Sequence, residues 1–245
     1  MYYPTFRLKG KVPILSAKVI DIIAERFILD FNPKLLEEPV PIDIEEFLEF
    51  YLQLEMEFDD LSSDQSCLGM TVFNNTSRIL AYDKLMGKAK YISASEGTII
   101  IDNSLLERGQ EKRLRFTLGH EAGHWVFHKA FYGYNPGQLT LFEYDTAFTR
   151  CRSINSNYIY KQTSNWDSEK WMEWQADKFS ASLLMPEQMV RECFSDRTEE
   201  VTDAVDRISS TFNVSKQAAY YRLCDLQILK PRDKVDSNNQ LSLFE

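Results

Sequence analysis

Apolar and polar positions recur with two different periods along this chain. In residues 14 to 30 (ILSAKVIDIIAERFILD) the apolar side chains fall at helical spacing. The stretch PVPIDIEEFLEFYLQLEMEF repeats that pattern. Ile44, Phe47, Leu48, Tyr51 and Leu52 form a stripe, Pro41 and Asp43 open the helix, and Glu45 and Glu46 suit the positive end of its dipole. Between about 67 and 101 the period shortens. CLGMTVF, RILAYD, KYISA and GTIIID are short, rich in β-branched or aromatic residues and separated by turn residues, so they read as strands of a small sheet. Helical spacing returns from about 109 to 130, and again from 169 to 194 with a break at Pro186. Two short helices are expected between 199 and 226, with Ser215 as an N-cap. Residues 133 to 168 form a long irregular connection, and the polar tail PRDKVDSNNQLSLFE is expected to be disordered.

These elements predict an α+β fold. A domain over 1–195 would pack a small sheet on helices, 196–230 would form a helical extension resembling a helix-turn-helix, and 231–245 would be the tail. There is no internal repeat. A length of 245 residues with 44% hydrophobic side chains suffices for a proper core. The net charge of −9 argues against general nucleic-acid binding, which depends on neutralising phosphates. Cys67, Cys151, Cys193 and Cys224 are widely spaced, which suits a reducing compartment rather than a disulfide framework. The N-terminal stretch lacks the apolar core and cleavage site of a signal peptide, and no segment has the run of about 20 apolar residues that a membrane span needs. The cytoplasm is the expected location.

All three histidines of the chain lie in FTLGHEAGHWVFH, residues 116 to 128. On a helix, His120 and His124 share a face and can hold one metal ion. Glu121 lies beside that face, where it can act as a base on a water held at the metal. Zinc suits such a site, because it accepts mixed nitrogen and oxygen ligands and makes water a nucleophile at neutral pH. The same spacing can arise by chance on a surface helix, but two features argue otherwise. Gly119 and Gly123 each cost about 1 kcal/mol against alanine inside a helix, so something must come close to them. The flanks LRFTLG and WVFH are apolar, so the helix is buried and its histidines need partners. His128 continues the spacing but has drifted around the helix, and the metzincin pattern requires its third histidine elsewhere. It fits a core or supporting position better than a ligand.

A third protein ligand is expected, and no histidine remains. The segment WMEWQADKFSASLLMP supplies Glu173 as the candidate, with Asp177 one turn later to accept the outer N–H of a ligand histidine and fix its tautomer. Glu169 is a rival, one turn nearer the polar connection. An oxyanion would need a further donor, and Tyr132, Tyr158, Tyr160 and His128 are candidates. GTIII, residues 97 to 101, reads either as an edge strand that could pair with an extended substrate or as a buried strand.

PIDIEEF, RLRFTLGHEAGHWVFH, EWQADKFSASLLMP and FNVSKQAAYYRLCDLQIL together resemble the ImmA/IrrE family of zinc metallopeptidases, the M78 type, over most of residues 14 to 230. The resemblance implies a zincin-like, gluzincin-like domain. It implies Zn²⁺ held by His120, His124 and Glu173, with Glu121 catalytic. Family members often carry asparagine where this chain has Asp177, and their connection between the two metal motifs is usually shorter. The resemblance further implies cleavage of a helix-turn-helix repressor belonging to a mobile element or a stress response.

Two other readings compete. The chain could be a non-catalytic metal-dependent regulator, or a DNA-binding module acting through residues 203 to 226. SKQAAYYRLCDL offers only Lys216 and Arg222 as basic groups, with Asp203, Asp206 and Asp225 nearby, so a helical pair completing the domain is the better reading. Finally, Gln240, Leu241, Ser242, Leu243 and Phe244 resemble the pentapeptide by which bacterial replication proteins dock onto the sliding clamp.

Overall fold

The computed structural model describes residues 1–133, 166–194 and 201–230, together with the backbone of 151–152. Tyr158, Tyr160, the tail 231–245 and its clamp-like residues Gln240 to Phe244 lie outside the described residues.

A short hairpin, β1 (Leu8–Lys9) and β2 (Val12–Pro13), leads into α1 (Ala17–Phe31). Ser16 caps α1 by accepting from the Val19 backbone N–H, which satisfies one of the donors that a helix start leaves open. Asp43 does the same for α2 (Ile44–Glu46) by accepting from Glu46. Here the structure departs from the apolar stripe. After α2 the chain widens into a π turn over Phe47–Tyr51, and Gln53 takes a left-handed backbone conformation with φ of 57°. The residues EMEFD beyond it then form β3 (Glu55–Asp59), not more helix. The stripe ends where Leu52 and Leu54 are needed in the core.

The four expected strands form as β4 (Cys67–Thr71), β5 (Thr76–Asp83), β6 (Lys88–Ala94) and β7 (Thr98–Asp102). They do not share one sheet. β5 and β6 make their own antiparallel ribbon, while β7 pairs in parallel with β3 and antiparallel with β4. A two-residue strand, β8 (Cys151–Arg152), lies on the far side of β4, giving the order β3-β7-β4-β8. This corrects the edge-strand reading of GTIII. β7 is buried along its whole length and paired on both sides, so its backbone has no groups left for a substrate strand.

Against this sheet lies α3 (Glu111–Tyr132), and α4 (Ser168–Leu184) packs on α3 and α1, followed by α5 (Glu187–Glu192), α6 (Val201–Thr211) and α7 (Lys216–Asp225). Pro186 separates α4 from α5, and Ser215 caps α7 by accepting from Ala218. One apolar core runs from Ile20 and Phe27 on α1 through Leu118 and Phe127 on α3 and Phe179 on α4 to Ile208 and Leu223 on the last two helices. Phe27 meets Phe47, Tyr51 and Phe179 edge-on, the arrangement that aromatic quadrupoles prefer. Among the described residues, no helix is long and apolar enough to cross a membrane.

Candidate metal centre

The centre is assembled by two helices that touch backbone to backbone. A Cβ on Gly123 would sit 2.9 Å from Cα and 3.1 Å from the carbonyl oxygen of Ala176. A Cβ on Gly119 would sit 2.6 Å from Oγ of Ser180 and 3.3 Å from its Cα. The two glycines are therefore what lets α3 and α4 approach closely, which explains why helix-weakening residues stand there.

That approach brings His120, His124 and Glu173 together, with one ligand atom from each lying within 4.8 Å of the others. The Nε2 atoms of His120 and His124 are 2.9 Å apart, and they lie 3.5 Å and 3.3 Å from the two carboxylate oxygens of Glu173. Both imidazoles are buried, while the Glu173 side chain is 38% exposed and forms the rim. Burial works to raise the Glu173 carboxyl, but the two imidazoles beside it outweigh that and hold it below the usual carboxylate range. Glu169, the rival, is exposed in the first turn of α4 and takes no part in the cluster.

Behind His120 stands Asp177, with Oδ1 2.8 Å from Nδ1. An ionised carboxylate can only accept, so His120 donates from Nδ1 and keeps a lone pair on Nε2. That lone pair, the Nε2 of His124 and the Glu173 carboxylate form a mixed nitrogen and oxygen set gathered at one point. A divalent metal ion fits such a set.

Glu121 lies on the same helix with no exposure. Strand β4 holds it in place. Oγ1 of Thr71 lies 2.6 Å from Oε2 of Glu121 and 3.1 Å from its carbonyl oxygen. Gly69, two residues earlier on the same strand, leaves room for the carboxylate, because a Cβ there would be 2.8 Å from Oε1. Neither Thr71 nor Gly69 was singled out in the sequence. A glycine inside a strand was the available signal, since it marks a close approach by another group.

Of the suggested donors, His128 and Tyr132 are described. His128 is fully buried behind His124, with its ring nitrogens 2.9 Å from Nδ1 of His124 and 3.0 Å from Oε1 of Gln175. Burial, then the neighbouring His124, push its pKa well below the usual imidazole value. Tyr132 stacks on Phe73 at 5.0 Å, and Phe73 stacks in turn on Trp125. Burial, then the carboxylates of Glu173, Glu169 and Glu121, raise the Tyr132 phenol, so it stays protonated at any working pH.

An α+β fold with two histidines and a carboxylate converging beside a buried glutamate defines a metallopeptidase-like class. Residues 137–224 match the M78 peptidase family model, described as the IrrE N-terminal-like domain. Over that part of its length the chain is similar to the M78 peptidases. The matched span includes Glu173 and Asp177, whereas His120, Glu121 and His124 precede it. No curated protein matches the chain.

Proposed function

We propose that the chain is a zinc-dependent endopeptidase of the ImmA/IrrE type, acting in the cytoplasm on a helix-turn-helix repressor from a mobile-element or stress-response circuit. The observation that carries this reading is the convergence of His120, His124 and Glu173 next to the buried carboxylate of Glu121. Two imidazoles and one carboxylate are a donor set that catalytic zinc takes. Their ligand atoms lie 2.9, 3.3 and 3.5 Å apart, close enough to be shared by one ion. The close packing of α3 on α4 and against β4 also supports a zincin-like architecture.

When bound, zinc supplies Lewis acidity, acidifying a water and polarising a peptide carbonyl. The remaining work belongs to the protein's own groups. Glu121 takes a proton from the attacking water and later delivers it to the departing amine. Thr71 steers that carboxylate through Oε2. Asp177 keeps His120 in the tautomer that leaves Nε2 available. Tyr132, kept protonated by burial and by the fields of Glu173, Glu169 and Glu121, is the described donor best suited to a developing oxyanion. The repressor as substrate is supported by the family resemblance alone.

A DNA-binding role for α6 and α7 is weaker, because the basic groups it needs are engaged elsewhere. Arg222 is buried and donates to Asp21, and Lys216 pairs with Asp206. Phosphate contacts require exposed, uncommitted cations.

The direct test is Glu121→Gln with a helix-turn-helix repressor encoded beside this chain. Cleavage should fall by at least about a hundredfold, the scale of a lost acid–base group, while zinc content measured by elemental analysis stays at the wild-type level. Unchanged cleavage would remove Glu121 from the mechanism.

A further inference from the structure

The two histidines of the centre are backed differently. His120 leans on the anionic Asp177, whereas His124 leans on a row of uncharged groups. Nδ1 of His124 lies 2.9 Å from Nδ1 of His128, Nε2 of His128 lies 3.0 Å from Oε1 of Gln175, and Nε2 of Gln175 lies 2.8 Å from the carbonyl oxygen of Pro13 in β2. His124, His128 and Gln175 are all buried.

The hydrogens in this row can be assigned from its two ends. A backbone carbonyl only accepts, so the Gln175 amide nitrogen donates to Pro13. This fixes which way the amide points and turns its oxygen, also an acceptor, toward His128. Nε2 of His128 must therefore carry a hydrogen. His124, read as a ligand through Nε2, carries its own hydrogen on Nδ1, which makes Nδ1 of His128 the acceptor between the two rings. That hydrogen fills the 2.9 Å between the two Nδ1 atoms, whereas the Nε2 atoms of His120 and His124, also 2.9 Å apart, both keep lone pairs because the metal ion would lie between them. The His124 lone pair stays on Nε2, the atom that faces His120 and Glu173.

We propose that His128 and Gln175 are positioning residues that lock His124 in its metal-binding tautomer, with the Pro13 carbonyl as the fixed end of the relay. The backbone of the N-terminal hairpin thus reaches the metal centre through three side chains. The inference rests on reading His120, His124 and Glu173 as metal ligands. The reverse arrangement, with hydrogen on Nδ1 of His128, would force hydrogen onto Nε2 of His124 and block that ligand.

The chain has only three histidines, so ¹⁵N-histidine labelling resolves each ring. Long-range ¹H–¹⁵N spectra of the zinc-loaded full chain at neutral pH should show the Nε2–H tautomer for His128 and the Nδ1–H tautomer for His124. An Nδ1–H or doubly protonated His128 would overturn the relay. Zinc affinity, read by competition with a chromophoric chelator, supplies the second measurement. Gln175→Leu and His128→Phe should each weaken zinc binding by about 10- to 100-fold, the effect of losing an outer partner of a ligand histidine. Unchanged affinity in a folded Gln175→Leu protein would also overturn the proposal, and if the variants do not fold, the wild-type tautomers decide. A wild-type protein that binds no zinc would sink the metallopeptidase reading itself, whereas a wild-type protein that binds zinc while Gln175→Leu keeps full affinity would sink the relay alone.

Discussion

Thr71 reaches the Glu121 carboxylate from a strand fifty residues earlier in the chain. A hydrogen bond to a charged group contributes about 1.5–3 kcal/mol, or roughly 10- to 100-fold in a rate that depends on it. Thr71→Val keeps the shape and removes the hydroxyl. It should lower kcat by about that factor while KM and zinc content change little, whereas an unaltered kcat would mean that the strand plays no part in orienting the base. This contact was not legible in the sequence, because Thr71 lies in an ordinary-looking strand and is joined to the site only by folding. Gln175 was invisible for a similar reason. Its neighbours Glu173 and Asp177 carry a recognisable acidic spacing, and an amide between them carries none. His120, Glu121 and His124 were legible because their relation is local, one turn of a single helix.

At the scale of elements, the contact between α3 and α4 decides whether the ligands meet. Gly123→Ala would gain about 1 kcal/mol of helix propensity. Against that, the new methyl would meet the Ala176 backbone at 2.9 Å, and backbone cannot swing aside as a side chain can. Overpacking of this kind costs about 1–3 kcal/mol, so the net effect should be destabilising. Because His120 and His124 sit on one helix and Glu173 on the other, zinc affinity should fall together with stability. A variant more stable than wild type in urea, with full affinity, would show that the helices can separate freely. The two glycines were readable in advance as marks of a close approach, though not what approaches. The strand β3 was not readable, because EMEFD continues an apolar stripe of helical period. Gln53, held in a left-handed conformation, and the parallel partner β7 override that stripe. The placement of β7 between two partners likewise depends on pairings between distant segments, which a run of isoleucines cannot announce.

Across the whole molecule, a buried charge cluster joins the first helix to the last. Asp21 on α1 accepts from Arg222 on α7 at 2.8 Å and from Ser182 on α4 at 2.6 Å, and it lies 3.0 Å from Lys178. Lys178 also bonds Asp225, and Arg222 donates from Nε to the Met185 carbonyl. Burial works to raise the Asp21 carboxyl, but Arg222, Lys178 and the Ser182 hydroxyl prevail and hold it below its ordinary value. A carboxyl lowered by folding stabilises the folded state at pH above its unfolded value of about 3.9, and that contribution is lost as pH falls through the folded value. Asp21→Asn should therefore cost about 3 kcal/mol at pH 7, since it leaves buried cations short of a partner. The difference from wild type should shrink by pH 3. Urea titrations at both pH values would read this, and a difference that stays constant with pH would contradict it.

The same cluster bears on how the molecule is made. Asp21 emerges from the ribosome two hundred residues before Arg222 does. Until then, α1 and α4 can meet with only Lys178 and Ser182 facing Asp21, and its second buried cation is missing. A product cut short before the last helix would keep the helices that carry His120, His124 and Glu173 but lack the guanidinium that completes this cluster, and it should be less stable for that reason.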